Sequence, residues 1–158
     1  MLKKYLFVFF VSMVPLIELR AAVPIALGMN LPVLPSYIVC ILGNMLPVPF
    51  IFLFARKVLE WGADKPVIGG FFRFCLEKGH KGGVKLKEKA GRGLFAALLL
   101  FVGIPLPGTG AWTGTLAASL LDMDFKSSVL AVLCGVVLAG IIMGLASAGL
   151  FGALGALF

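Results

Sequence analysis

Charged residues are scarce in this chain of 158 residues. Asp, Glu, Lys and Arg make up 13% of the sequence, about half their share in an average soluble domain. By contrast, 61% is hydrophobic and the mean hydropathy is +1.10. Two thirds of the charges lie between Arg56 and Arg92, which leaves seven for the other 121 residues. So few charges cannot cover a water-soluble surface. The composition excludes secreted, cytosolic and disordered proteins, and it indicates one integral membrane domain over residues 1–158.

Groups that perform catalysis or bind metals are also few. The chain has one histidine, His80, and three cysteines, Cys40, Cys75 and Cys134, which lack the spacing of a metal or redox site. No nucleophile, base and acid form a set, so we expect no enzyme activity, no metal and no cofactor. The net charge of +7 comes almost entirely from residues 56–92. Between two apolar blocks it indicates a loop that faces the cytoplasm and contacts anionic lipid head groups, rather than a nucleic-acid site.

Prolines interrupt the apolar blocks. A helix that crosses the hydrocarbon core needs about 20 apolar residues, but the blocks that begin at Tyr5 and Gly93 reach a proline after about half that length. We therefore predict two helical hairpins, over residues 4–30 and 93–121, that enter the membrane and return. The alternative is four full crossings by poor helices. The residues predicted to break helices are Pro15, Pro24, Pro47, Pro49, Pro105 and Pro107.

Each hairpin precedes a segment long enough to cross, over residues 36–58 and 126–152. Residues 1–58 and 93–158 thus share an order of elements, and setting Pro15 on Pro105 brings Gly43 within two residues of Gly135. A hairpin plus one crossing makes an odd number of crossings, so two such units lie in opposite orientations. The predicted fold is an all-α, multi-pass integral membrane protein of a prokaryotic cytoplasmic membrane, with an inverted repeat of re-entrant hairpin plus transmembrane helix. Residues 59–92 are predicted to be a basic loop with a short interfacial helix near Phe71–Leu76, flexible beyond it.

Glu18 and Arg20 lie at the predicted inner turn of the first hairpin, among apolar neighbours. Ionisable groups at membrane depth are costly and commonly face a cavity or a partner. Residues two apart do not face each other on a helix, so we expect the two side chains to contact different partners. One reading is that Arg20 binds an anionic head group and Glu18 holds a proton or a cation. The other is a buried ion pair or hydrogen bond that holds the two hairpins together.

The turn of the second hairpin, Ile104–Gly114, is uncharged but rich in hydrogen-bond donors. Thr109 is a predicted N-cap, and the free amides of Gly108, Thr109 and Gly110 at a helix start favour a phosphate or a carboxylate. Trp112 and Thr113 follow and are further candidate substrate contacts. A purely structural break is the alternative.

Two other features lie outside the hairpins. Asn44, just before Pro47, supplies a neutral donor and acceptor that we predict to line the same cavity, although a simple kink is an equal alternative. Small residues recur every four positions on the last helix, at Gly140, Gly144, Ala148, Gly152 and Ala156. They indicate close packing against the chain's own helices, with a homodimer as the alternative.

Three blocks of this sequence, Pro15–Pro24, Leu42–Phe50 and Ile104–Gly114, resemble the signatures of the small multi-drug export protein family. That family is similar in plan to the DedA/VTT superfamily, whose members have two opposed re-entrant hairpins and include lipid scramblases and polyprenyl-phosphate carriers. The resemblance implies a transporter or a lipid translocase. DedA proteins usually carry arginines around the proline of the second hairpin, whereas Leu106–Gly114 has none. The amides of Gly108–Gly110 would have to replace them.

Three functions are therefore weighed. The first is a carrier of an anionic amphiphile, such as a polyprenyl phosphate, in which Arg20 and the Gly108–Gly110 amides bind the head group and Glu18 couples transport to protons or another cation. The second is an exporter of lipophilic cationic drugs that uses Glu18. The third is a structural or assembly factor that transports nothing. The expected partners are membrane lipids and a phosphate-bearing lipid substrate.

Overall fold

The computed structural model describes residues 1–15, 17–90, 93–106 and 108–157, and all of its regular structure in these ranges is helical. The described residues form eight helices: α1 (Leu2–Met13), α2 (Glu18–Gly28), α3 (Val33–Met45), α4 (Val48–Ala63), α5 (Gly69–Ala90), α6 (Gly93–Gly103), α7 (Ala111–Leu120) and α8 (Phe125–Leu157).

Two pairs of short helices double back on themselves. The start of α1 meets the end of α2, where Lys4 Nζ donates a hydrogen bond of 3.0 Å to the carbonyl of Met29. Likewise the start of α6 and the residues after α7 line one small cavity of about 210 Å³, to which Leu94 and Met123 both contribute. The helices of these pairs are 10 to 12 residues long, or roughly 15–18 Å each. We call α1–α2 the first hairpin and α6–α7 the second.

Two segments among the described residues are long and apolar enough to cross a membrane. They are Val33–Ala63, with 31 residues and a mean hydropathy of 2.3, and Phe125–Gly149, with 25 residues and a mean hydropathy of 2.8. The first segment comprises α3 and α4. Leu46 and Pro47, which join these helices, keep right-handed helical backbone angles, so the segment bends there and continues.

Two of the predicted proline breaks are wrong. Pro24 lies within α2, where its missing N–H costs about 3 kcal/mol, and the helix persists because Ala22, Val23 and Ala26 are buried on it. Pro49 lies in the first turn of α4, where a helix needs no N–H partner. Pro15 and Pro105 lie between helices, as predicted. Pro107 is outside the described residues.

The basic segment is more helical than predicted, since α5 runs through positions where glycines indicated flexibility. Packing at its start favours the helix there. The ring of Phe72 lies so close to Gly62 that a Cβ there would be 2.6 Å away, and Arg73 Nε donates a 3.0 Å hydrogen bond to the carbonyl of Ala63. Tertiary contacts of this kind contribute more to helix stability than intrinsic propensity does.

Glycines allow each hairpin to approach one of the two long apolar segments. A Cβ on Gly43 of α3 would lie 2.5 Å from the carbonyl oxygen of Phe9 in α1, and a Cβ on Gly135 of α8 would lie 2.7 Å from that of Leu99 in α6. The second helix of each hairpin packs against the long segment of the other half of the chain, α2 against α8 and α7 against α4.

The small residues of the last helix have an internal partner. Tyr37 of α3 lies over Gly140 and Gly144, and its hydroxyl donates a 2.6 Å hydrogen bond to the carbonyl of Gly140. A Cβ on Gly144 would lie 1.3 Å from that hydroxyl oxygen. This part of the stripe therefore packs against the chain's own α3, whereas Gly152 faces open space.

Candidate functional site

The turns of the two hairpins, which we call the tips, meet around a cavity of about 330 Å³. It brings together most of the site residues predicted from the sequence. The lining residues are Pro15, Glu18, Arg20, Gly108, Thr109, Trp112, Thr113 and Leu116.

The Glu18 carboxylate fills the N-terminus of α7. Its two oxygens accept hydrogen bonds of 3.1 Å from the backbone N–H groups of Ala111 and Trp112. These amides and the positive end of the helix dipole form a site for an anion. Only 4% of Glu18 is exposed, and its φ of 51° lies in the left-handed region, which costs a non-glycine residue about 1–2 kcal/mol. The predicted phosphate position at this helix start is thus occupied by a carboxylate of the same chain.

Gly110 makes this contact possible. Its φ of +144° is rare for residues with a side chain, and a Cβ at this position would lie 2.2 Å from Glu18 Oε2. Gly110, rather than Thr109 as predicted, is the N-cap residue of α7. The Thr109 hydroxyl is used elsewhere, because it lies 2.9 Å from the carbonyl oxygens of both Ile104 and Leu106.

Arg20 binds the neutral backbone of the second tip. Its guanidinium donates to the carbonyl of Leu106, to Thr109 Oγ1 at 2.6 Å and to the carbonyl of Ile104 at 3.4 Å. The salt bridges of the described residues all lie elsewhere on the chain, so Arg20 and Glu18 contact different partners. Arg20 remains partly exposed to the cavity. Its buried Nε has no hydrogen-bond partner in the described part of the chain.

The remaining predicted residues have mixed positions. Trp112 lines the cavity, and its indole N–H donates a 3.1 Å hydrogen bond to the carbonyl of Met13 in the first tip. Thr113 lines the cavity and donates a long hydrogen bond of 3.4 Å to the carbonyl of Gly110. Gly108 has a φ of +82° and open space around it.

Asn44 is not among the lining residues of the tip cavity. It is 2% exposed in α3, and its Oδ1 has no hydrogen-bond partner among the described residues. The structure therefore does not bring Asn44 together with Glu18 and Arg20.

A second polar cluster was missed by the sequence reasoning. Asp122, after α7, contacts the guanidinium of Arg56 in α4, and its Oδ2 lies 2.5 Å from His80 Nδ1 of α5. Partial burial raises the pKa of Asp122, but the hydrogen bonds and charges of His80 and Arg56 outweigh burial and lower it below the ordinary value. His80 thus has a carboxylate partner instead of lying alone in a solvated loop.

The tip site holds two groups of opposite charge through hydrogen bonds. One carboxylate rests on amides and one guanidinium rests on carbonyls, so the tips join through two charge-assisted contacts of opposite polarity. The sequence analysis did not predict the backbone groups of Met13, Leu106 and Ala111 as partners in the contacts between the tips. A pattern of side chains does not show which backbone groups form hydrogen bonds. Within the described ranges, no three His, Cys, Asp or Glu residues cluster as metal ligands would.

Comparison with known families agrees with the three sequence blocks. No curated protein and no solved structure matches the chain. The sequence profile of one family, described as Putative small multi-drug export protein, matches residues 18–142. This match begins at Glu18, the carboxylate of the first tip, and includes α3, both helices of the second hairpin and most of the apolar part of α8. Together with the two apolar segments suited to cross a bilayer, it identifies the chain as a membrane protein that belongs to this small multi-drug export protein family.

Proposed function

We propose that this membrane protein carries a small amphiphile with an anionic head group across the bilayer, and that the head group binds in the tip cavity. One observation carries the proposal. Arg20 presents a partly exposed side chain to the cavity, with neutral partners, whereas the Glu18 carboxylate is 4% exposed and bound by amides. The charge that a ligand can reach is therefore positive.

The size and surroundings of the cavity are consistent with this ligand. Its volume of about 330 Å³ is at the lower end of small-molecule sites, which suits a head group better than a whole lipid. Guanidinium groups bind phosphate and carboxylate oxygens in a planar, two-pronged geometry. A polyprenyl phosphate, the substrate implied by the DedA/VTT resemblance, is one amphiphile of this kind.

We further propose that both hairpins are re-entrant and form an inverted repeat. Helices of roughly 15–18 Å are too short for a core of about 30 Å, and irregular backbone at membrane depth is tolerated where it lines a cavity. The repeat is supported by equivalent contacts. Phe9 and Leu99, which are offset by the same interval as Pro15 and Pro105, approach Gly43 and Gly135 in the two halves. In this arrangement the protein crosses the membrane more than once, and the basic residues 56–92 face the cytoplasm.

Glu18 is the proposed coupling group. Protonation would remove the negative charge that accepts hydrogen bonds from the N–H groups of Ala111 and Trp112, and would weaken the contact between the tips. A proton could in this way loosen the cavity and release the head group. The coupling predicts that a pH gradient drives uptake and that Glu18→Gln transports without responding to the gradient.

The proposal is tested with purified protein in liposomes. The probes are decyl phosphate and decyl trimethylammonium, which share a tail and differ in head-group charge. We expect transport of the phosphate, a transport rate at least tenfold lower in Arg20→Ala, and partial retention of that rate in Arg20→Lys. A tenfold change corresponds to ~1.4 kcal/mol, which one hydrogen bond to a charged group can supply.

Because Arg20 also joins the tips, folding is measured alongside transport by thermal unfolding of each variant. Unchanged phosphate transport in a folded Arg20→Ala variant would overturn the proposal. Preferential transport of the ammonium probe, lost in Glu18→Gln, would assign the site to lipophilic cations instead. If Arg20→Ala and Glu18→Gln both lower stability while the protein that remains folded keeps its transport rate, the result would indicate a structural factor.

A further inference from the structure

The tip cavity adjoins a groove that leads away from it. It shares Trp112 and Leu116 with a second cavity of about 410 Å³ between α4 and α7. That cavity in turn shares Leu59 and Leu120 with a third, of about 520 Å³, beside α5. The three cavities therefore follow one another along α7. We call the middle one the α4–α7 groove.

The walls of the groove are apolar throughout. On α7 the lining residues are four apart, which places them on one face of the helix. On α4 they follow the three-and-four spacing of a single face. The lining residues are Ile51, Phe54, Ala55, Val58, Leu59, Trp112, Leu116 and Leu120. Phe54 and Val58 are more than half exposed, so the groove is open along its side.

Charged groups bound the groove at both ends. Arg20 and Glu18 lie at the inner end, in the tip cavity. The outer cavity is lined by groups of both signs, with Arg56, Arg73 and Asp122 among them. An occupant of the groove must therefore be apolar over the length between them. From Trp112 to Leu120 this length is roughly 12 Å along the helix axis.

We infer that the α4–α7 groove binds the apolar tail of the carried amphiphile while its head group contacts Arg20. The inference rests on the proposed function. It is argued from the shared lining residues, because Trp112 and Leu116 line both cavities, so a tail attached to a head group at Arg20 reaches the groove along these two side chains. The open side lets an alkyl or isoprenoid tail enter from the bilayer. The groove thus selects for tail shape, whereas the tip cavity selects for charge.

Contact between tail and groove is tested by fluorescence quenching. The chain has two tryptophans, and Trp61→Phe leaves Trp112 as the single emitter. The probes are decyl phosphate brominated along its tail and the equally brominated decanol, added to vesicles at equal mole fraction. We expect stronger quenching by the phosphate, because binding at Arg20 holds its tail in the groove. The excess should vanish in Arg20→Ala.

Occupancy of the groove is tested with Ala55→Phe, which fills its middle, and with Ala55→Leu, which fills it less. The matched control is Ala146→Phe on the exposed face of α8. We expect Ala55→Phe to remove the excess quenching and to lower the rate of decyl phosphate transport relative to butyl phosphate. Ala55→Leu should have an intermediate effect and Ala146→Phe none.

The two proposals fail in different ways. Equal quenching by phosphate and alcohol, or a ratio of transport rates that Ala55→Phe and Ala55→Leu leave unchanged, would overturn the groove assignment and indicate that ordinary bilayer lipid fills it. The head-group site would survive that result. Conversely, transport of both phosphates at full rate in Arg20→Ala would overturn the proposed function itself.

Discussion

Replacing Glu18 with glutamine should weaken the contact between the two hairpin tips. The carboxylate accepts hydrogen bonds from two amides at 3.1 Å while 4% exposed. Glutamine offers one acceptor oxygen, and its NH₂ group must face the other amide as a second donor. One charge-assisted hydrogen bond of ~1.5–3 kcal/mol is lost, together with a favourable helix-dipole contact of ~0.3–1 kcal/mol. We expect a destabilisation of about 2–4 kcal/mol.

The assay is thermal unfolding in detergent, followed by tryptophan fluorescence. Glu60→Gln is the matched control, because Glu60 makes an exposed pair with Arg56 one turn away on α4 and should contribute at most ~0.5 kcal/mol. An unfolding midpoint for Glu18→Gln equal to that of Glu60→Gln would refute the reasoning, because the tip contact would then contribute nothing to the folded state.

Three further outcomes are expected. Gly144→Ala places a Cβ 1.3 Å from the Tyr37 hydroxyl oxygen, so it should lower the unfolding midpoint, and Tyr37→Phe should recover part of the loss, with a coupling of ~0.5–3 kcal/mol in the double-mutant cycle; additive effects would contradict the packing. Gly110→Ala should destabilise by steric conflict with Glu18, and in combination with Glu18→Gln the total should be smaller than the sum, because both remove one contact. The pKa of Asp122 is lowered in the fold, so its contribution to the free energy of unfolding is complete above the ordinary pKa of about 4 and is lost as the pH falls through the lowered value. Between neutral and acidic pH, stability should therefore fall less in Asp122→Asn than in the unsubstituted protein. Equal falls would exclude the cluster of Asp122, Arg56 and His80 as a source of pH dependence.

The approximate positions of the hairpins could be predicted because proline and apolar length are local properties of the sequence. Pro15 and Pro105 fall between helices, and the sequence brought Glu18, Arg20 and the Gly108–Thr113 turn into one expected site. The spacing of Glu18 and Arg20 also predicted that they contact different partners. The re-entrant placement of the two hairpins in the bilayer stays a prediction.

The partners themselves could not be predicted. Whether the amides of α7 are free for a ligand depends on the backbone of Gly110, whose φ of +144° lets a carboxylate from another helix approach. Pro24 shows a similar limit, since burial of its neighbours outweighs its local preference to end a helix. The contact of Asp122 with Arg56 and His80 joins residues 42 to 66 positions apart, and charges scattered in a basic segment carry no signal of which ones pair.

The most direct measurement of the central claim is cysteine accessibility in sealed vesicles, in a background without the three native cysteines. Leu2→Cys and Asn30→Cys mark the ends of the first hairpin, and Gly93→Cys and Asp124→Cys mark those of the second. If both hairpins double back, an impermeant maleimide should label the first two from one face of the membrane and the other two from the opposite face. Labelling of the two ends of either hairpin from different faces would contradict the account, because the tips could then not meet around a shielded cavity.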